Sequence, residues 1–233
     1  MTDDSTPIAD DSASSSAPDT MAGSAIGRDP GGYGGQGEWG AGAPHAGNLS
    51  PREITEHPAI APLGFLLGRW KGTGKGGYPT IEDFDFAQEV SFTHIGKPYL
   101  IYTSRTWRLT TDADGKLVRG EDGQFKRAQP LAVETGFWRP QPENKVEVVL
   151  AHPTGITEIY VGEVKGTRID LATDVVARTE TAKPVTAGKR LYGLVPSETR
   201  EGEKDLAYAY DMAAMGLPLT PHLSAVLHWD WID

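Results

Sequence analysis

The stretch GRWKGTGKGGYPT, residues 68–80, decides the fold, because glycine-rich sequence occurs both in phosphate-binding loops and in β-barrels. A P-loop needs four residues between its first glycine and Gly-Lys-Ser/Thr, and then a helix, but here Lys75 is followed by another glycine and by strand-like residues. A Rossmann fingerprint also requires a following helix. The spacing instead has the period of two of a β-strand, which would let the Trp70 indole close one end of a barrel. The motif positions are Gly68, Trp70, Gly72 and Gly74.

Composition excludes several classes of protein. The 233 residues contain no cysteine, which excludes disulfide scaffolds, cysteine–zinc sites and iron–sulfur clusters. A formal net charge of −10 argues against a nucleic-acid-binding protein, and no apolar run approaches the ~18 residues of a membrane span. The acidic start MTDDSTPIADD lacks the apolar core of a secretory signal. We therefore expect a soluble, cytoplasmic protein with no nucleic-acid or membrane partner.

The first part of the chain differs from the rest. Residues 1–55 are rich in Ser, Ala, Pro and Gly and show no apolar periodicity. Up to Ser50 they carry seven acidic residues and one basic residue, a net charge of −6. Such sequence buries too little apolar surface to offset the entropy of an ordered chain. We predict a disordered tail over 1–55 and one folded domain over 56–233.

The folded part reads as a succession of short strands. The segment from Gln88 to Lys116 predicts strand, Gly-Lys-Pro turn, strand and Asp-Gly turn, and later segments repeat strands every 8 to 12 residues. The one convincing helix is short, from Pro62 to Leu67. About ten antiparallel strands with almost no helix predict an all-β fold, an up-and-down barrel of the lipocalin or fatty-acid-binding type. A closed barrel of this size encloses a cavity, where a ligand would bind.

Histidine is the residue type with the clearest potential for chemistry. The chain has six: His45, His57, His94, His152, His222 and His228. His45 and His57 belong to the tail or its end, and His94 and His152 end predicted strands, where a turn hydrogen bond is the usual role. This leaves His222 and His228 as equal candidates for a metal ligand. Their even spacing places both on one face of the last strand, if that strand is regular.

The ordered set of motifs resembles the nitrobindin family. It runs through the Gly-x-Trp-x-Gly-x-Gly strand, Tyr78-Pro79-Thr80, EVSFTHIGKPYLIYTSRTW, ETGFWRP, HPTGITEIYVGEV and the C-terminal LPLTPHLSAVLHW. The similarity extends from about Pro62 to Trp229, and the tail has no counterpart in it. The resemblance implies a ten-stranded antiparallel barrel that holds one haem b per chain at its open end.

The resemblance also implies a set of site residues. His222, in Pro-His-Leu, matches the axial ligand of the haem iron. Thr80 matches the threonine that lines the haem site, and Lys189 matches a basic residue that approaches a haem propionate. In many members a histidine on the distal side precedes the Glu-Thr-Gly segment, whereas this chain has Ala132. We therefore expect an apolar sixth coordination site and a five-coordinate spectrum.

The family activity is the conversion of peroxynitrite to nitrate at ferric haem, with reversible binding of nitric oxide. The resemblance thus implies a peroxynitrite isomerase that scavenges reactive nitrogen species, with no catalytic residue beyond the haem iron. We expect Asp83, Glu89 and Glu134 to be solvated or hydrogen-bonded carboxylates. Two alternatives stay open: a non-enzymatic carrier or sensor of nitric oxide, and a haem-free carrier of an apolar ligand. A homodimer also stays open.

Overall fold

The structure is a computed structural model, and it describes residues 55–230. A 3₁₀-helix over Pro58–Leu66 precedes ten strands. The strands are β1 Gly68–Tyr78, β2 Ile81–Thr93, β3 Leu100–Leu109, β4 Arg127–Pro140, β5 Lys145–His152, β6 Ile156–Lys165, β7 Arg168–Arg178, β8 Val185–Pro196, β9 Lys204–Ala214 and β10 Thr220–Trp229. No helix in this part of the chain is long and apolar enough to cross a membrane.

The ten strands form a closed barrel. Each pairs antiparallel with the strand before and after it, and β1 pairs with β10 to complete the ring. Closure satisfies the backbone hydrogen bonds that an edge strand would leave open. The predicted antiparallel up-and-down barrel is confirmed. The predicted tail lies outside the described residues up to residue 54, so its disorder stays a prediction.

The helix begins earlier than predicted. It starts at Pro58 and ends at Leu66, whereas the sequence placed it over Pro62–Leu67. The reason is local: the Nδ1 atom of His57 accepts a hydrogen bond from the backbone N–H of Ala59 at 3.1 Å, so His57 caps the helix. Pro58 then occupies a first-turn position, where its missing N–H costs nothing. His57 is thus a helix cap and not part of the tail.

One end of the barrel is closed by apolar packing. The 3₁₀-helix lies there and buries Ile60, Leu63 and Leu66 completely. The indole N–H of Trp70 donates a hydrogen bond to the carbonyl of Leu66 at 2.8 Å, which ties β1 to the helix. The rings of Phe92 and Trp138 meet edge to face behind them, with centroids 5.4 Å apart.

Glycines on the inner face of β1 admit rings from β2. A Cβ atom built on Gly74 would collide with the Phe86 ring and would lie 2.7 Å from the Cβ of Ala225. A Cβ on Gly76 would likewise meet the Phe84 ring. The glycine repeat therefore has a packing role: it leaves room inside the barrel for the two phenylalanines.

The opposite end of the barrel is looser. β7 pairs with β8 only over Arg168–Ala172, while the rest of β7 pairs with β6 alone. The backbone N–H of Gly188 bridges the gap by donating to the Thr173 hydroxyl at 3.0 Å. The first half of β4 is exposed along its length. We call this the open end.

Candidate functional site

A cavity of about 740 Å³ lies at the open end, where β1 and β2 meet β10 and β9. His222, Tyr78 and Phe84 line it, together with backbone of the β1–β2 turn region. Its size falls within the range of small-molecule and cofactor sites. The structure therefore places a ligand-sized space beside one of the two candidate histidines.

His222 faces this space because β10 is irregular at its start. The register with β9 shifts between Pro221 and Leu223, which makes His222 the extra residue of a β-bulge. The bulge breaks the even alternation that would put His222 and His228 on one face. His228 instead pairs with Asp205, its Nδ1 atom 2.8 Å from the carboxylate, and its side chain is half-exposed.

The His222 imidazole is held in one orientation. Its Nδ1 atom lies 2.9 Å from the carbonyl oxygen of Gly77. A carbonyl only accepts hydrogen bonds, so Nδ1 carries the proton and Nε2 keeps its lone pair. The rings of Tyr78 and Tyr210 contact the imidazole edge to face, with centroids 5.6 and 5.7 Å away. This is the arrangement of a metal-binding histidine whose second nitrogen is fixed by a backbone carbonyl.

Burial also keeps the imidazole neutral. It lowers the pKa of His222 below its ordinary 6.5, although the hydrogen bond to Gly77 acts in the opposite direction. The charge of Arg190 lowers this pKa further, and Lys183 adds to the effect. A neutral imidazole is the form that binds iron.

Tyr78, which contacts His222, is held in place by hydrogen bonds to the end of β9. Its hydroxyl accepts a hydrogen bond from the backbone N–H of Ala214 at 3.0 Å and lies 3.1 Å from the carbonyl oxygens of Met212 and Ala214. The side chain thereby joins β1 to the end of β9 across the start of β10. The Tyr78 ring beside His222 is consequently fixed at both of its ends.

A buried charged cluster lies in the barrel interior near His222. Arg190 is at its centre, with side-chain exposure of only 3%. Its guanidinium donates to Glu134 at 2.8 Å and to Glu158 at 3.4 Å, and its Nε–H donates to the Tyr160 hydroxyl at 3.0 Å. His152 completes the cluster, with Nε2 3.0 Å from Glu158. Two carboxylates thus share one guanidinium and one imidazole.

Both carboxylates of the cluster are ionised. Burial alone would raise the pKa of Glu134, but the charge and hydrogen bonds of Arg190 lower it to about 2. Burial likewise opposes ionisation of Glu158, and its hydrogen bond with His152 and the charge of Arg190 lower its pKa. Neither carboxyl is therefore available as a general acid at neutral pH.

Tyr210 connects the cluster to the histidine. Its hydroxyl donates to Glu158 at 3.3 Å, and its ring lies between the guanidinium of Arg190, 4.3 Å away, and the imidazole of His222. A guanidinium stacked on an aromatic face is an attractive cation–π contact. The position of the ring beside His222 thus depends on the charged cluster.

The structure places the other predicted site residues in different parts of the barrel. Thr80 is exposed in the β1–β2 turn, between Pro79 and Ile81, which both line the cavity. Lys189 is exposed on the outer face of β8, in a separate surface depression of about 420 Å³. The structure does not bring Lys189 together with His222, because its neighbour Arg190 takes the inward-facing position. Ala132 lies on the interior-facing side of β4, two residues before Glu134, and is exposed at the open end.

Sequence reasoning did not identify Arg190 or Lys183, and it gave His152 no part in the site. Adjacent basic residues at 189 and 190 point to opposite faces of a strand, and the buried Tyr192 two residues on gives the signal that Arg190 is the inward one. His152 was placed correctly at a strand end, but its ion pair with Glu158 depends on pairing between β5 and β6. His94, in contrast, makes the predicted turn hydrogen bond, accepting from the backbone N–H of Gly96 at 3.3 Å.

Several known proteins have sequences similar to this chain. The family model described as "THAP4-like, heme-binding beta-barrel domain" matches residues 59–228. A "Peroxynitrite isomerase" of Parafrankia sp. is 48% identical over 196 residues, covering 78% of this chain and 84% of the relative. A "Ferric nitrobindin-like protein" of Thermobifida fusca is 44% identical over 183 residues, covering 73% and 93%.

A solved structure agrees with these relatives. The crystal structure of Rv2717c from M. tuberculosis is similar to this chain with a TM-score of 0.60 and 41% identity, over 76% of this chain and 100% of that one. The resemblance noted in the sequence is confirmed. The chain belongs to the family of THAP4-like, heme-binding beta-barrel domains.

Proposed function

We propose that the protein is a haem b-dependent peroxynitrite isomerase that also binds nitric oxide, with one haem per chain. The observation that carries the proposal is the neutral His222 imidazole, fixed through Nδ1 by Gly77 and placed in the wall of a cavity of about 740 Å³. Relatives 44–51% identical to this chain bear the name peroxynitrite isomerase, which supports the proposed reaction.

The residues at the cavity fit a haem held by one histidine. His222 would be the axial ligand through Nε2, and the hydrogen bond to Gly77 raises the basicity of that nitrogen. When bound, haem supplies a Lewis-acidic ferric iron for the rearrangement of peroxynitrite to nitrate. The chain itself supplies the orientation of the axial ligand and a cavity at the open end of the barrel. No side chain is assigned as a general base, since Glu134 and Glu158 are committed to Arg190.

Two further residues are proposed to contact the haem. Thr80 lies in the turn that borders the cavity and would contact the porphyrin edge. For the basic partner of a propionate, we favour Lys183 over Lys189, because Lys183 lies in the connection between β7 and β8 at the open end, whereas Lys189 faces outward on β8. Because Lys189 faces outward, its position does not support the predicted contact with a propionate.

Haem titration of the apoprotein tests the proposal, with His222→Ala and His228→Ala as a matched pair. We expect a saturable one-to-one Soret band that is lost in His222→Ala and kept in His228→Ala, because only His222 lies at the cavity. A parent protein that gives no Soret band would support the haem-free carrier instead.

Kinetics then separate the enzyme from the carrier of nitric oxide. The holoprotein should accelerate peroxynitrite decay in proportion to its haem content, with nitrate as the product. Reversible nitric oxide binding without accelerated decay would support the carrier or sensor.

The absorption spectrum of the ferric form tests the predicted five-coordinate state. The exposed Ala132, which stands where many family members have a histidine, supports that prediction.

A row of apolar side chains supports a homodimer as the assembly. Residues on five neighbouring strands face each other in register along the outer wall: Ile101, Phe137, Val149, Ile159 and Val175. Phe137 is 48% exposed and contacts the Tyr99 ring. Light scattering of the parent and of Phe137→Glu tests this, with a monomer expected for the variant.

The cytoplasmic location and the absence of a nucleic-acid partner stay predictions.

A further inference from the structure

Arg108 is a basic residue on the inner face of the barrel at the open end. It follows the buried residues Ser104 and Thr106 on the inward-facing side of β3 and lies opposite Phe86 of β2. Its guanidinium carbon is 4.9 Å from the centroid of the Phe84 ring. Phe84 lines the same cavity as His222. The guanidinium of Arg108 therefore stacks on a ring that lines the cavity containing His222.

Arg108 has no anionic partner among the described residues. Its Nε atom is buried and makes no hydrogen bond, and no carboxylate lies within ion-pair distance. Two other arginines show the contrast: Arg190 in the interior pairs with Glu134, and Arg127 near β3 pairs with Glu89 at 2.7 Å. A partly buried guanidinium with an unsatisfied donor is unfavourable unless a ligand supplies the acceptor.

The adjacent strand β4 presents a small, apolar side chain beside Thr106. The inward-facing residue opposite Thr106 is Ala132, whose side chain has no polar group and is exposed at the open end. The Thr106 hydroxyl is already used, donating to the Ala132 carbonyl at 3.3 Å. Arg108 is consequently the strong hydrogen-bond donor of this part of the wall.

We propose that Arg108 binds an oxyanion at the open end of the barrel, beside the Phe84 ring, through its unpaired Nε–H and the adjacent guanidinium nitrogens. A guanidinium matches a planar carboxylate or nitrate-like anion in a bidentate fashion. Two sources offer this chemistry: a carboxylate of the haem, or a small anion at the iron such as peroxynitrite or its product nitrate. The identity of these sources rests on the proposed function, but anion binding by Arg108 does not.

The first test uses the apoprotein and needs no haem. Arg108→Met removes the charge and keeps the aliphatic stem, and Arg105→Met is the matched control because Arg105 is exposed on the outer face of the same strand. In the ¹⁵N–¹H spectrum of the arginine Nε groups, the signal that is missing from each variant identifies the resonance of the substituted arginine. On titration with sodium nitrate and with sodium acetate, the Arg108 resonance should shift saturably while the Arg105 resonance stays in place.

The second test separates the two sources in the holoprotein. If a haem carboxylate is the ligand, Arg108→Met should weaken haem binding about tenfold or more and leave binding of haem dimethyl ester unchanged, since a charge-assisted hydrogen bond is lost. If the anion at the iron is the ligand, haem affinity should persist and the azide affinity of the ferric form should fall about tenfold. Thermal melts check that both variants fold.

The outcomes distinguish this proposal from the proposed function. If the parent binds haem, and Arg108→Met behaves like the parent and like Arg105→Met in both haem experiments, the haem carboxylate and the anion at the iron are refuted as ligands of Arg108 and the haem function stands. An Arg108 resonance that nitrate and acetate leave in place refutes anion binding by Arg108 itself. If the parent binds no haem, the nitrate and acetate titrations decide: a saturable shift supports anion binding by Arg108, and an unmoved resonance refutes it.

Discussion

The two ends of the barrel differ in how their interiors are filled. At the closed end the helix residues Ile60, Leu63 and Leu66 and the rings of Phe92 and Trp138 fill the space without charge. At the open end the interior-facing positions hold His222, Arg190 and two ionised carboxylates, and a cavity remains. The closed end therefore provides apolar packing energy, whereas the open end maintains a polar site at some cost in stability.

The largest effect is expected from removing the central charge of the open end. Arg190→Met should destabilise the fold by about 3–5 kcal/mol, because Glu134 and Glu158 would stay buried with no guanidinium. Urea unfolding measures the change. Arg139→Met is the control, since the Arg139–Glu147 pair is exposed and should contribute under about 1 kcal/mol. Equal effects of the two variants would contradict the distinction between interior and surface charge.

A substitution at the closed end should affect stability alone. Leu66→Ala removes a completely buried side chain and should cost about 2–5 kcal/mol in the free energy of unfolding. Haem affinity should stay within twofold of the parent under conditions where both are folded, because Leu66 packs at the far end from His222. A parallel loss of haem affinity would show that the two ends are coupled.

Acid should act on the open end through Glu134. The pKa of this carboxyl falls from its ordinary 4.5 to about 2 in the fold, so the native state binds fewer protons than the unfolded chain. The contribution to stability is present above about pH 4.5 and is lost as the pH falls toward 2. Glu134→Gln should flatten the pH dependence of urea unfolding in this window. An unchanged slope would contradict the ionised, Arg190-bound state.

The two ends also differ in how far the sequence predicts them. The barrel follows from strand periodicity and turns. Alternation along β1 turns Trp70 inward, and its position at the start of β1, next to the helix, places it at the closed end. The open end depends on irregularities. The bulge at His222 reverses the alternation with respect to His228, and the face that β8 turns inward decides that Arg190 rather than Lys189 is the interior cation. Such details depend on strand register, which one sequence does not specify.

The smallest effect concerns the two lysines of the open-end half of the barrel. Lys183→Gln should lower haem affinity about two- to fivefold, since an exposed charge in the β7–β8 connection at the open end would interact with a propionate through solvent. Lys189→Gln should leave it unchanged, because Lys189 is exposed on the outer face. Haem titrations at low and high salt measure both variants. The Lys183 effect should disappear at 1 M salt, where the screening length is about 3 Å. If Lys189→Gln lowered haem affinity instead, a propionate would have to reach the outer face of β8. This would contradict binding of haem within the cavity at the open end.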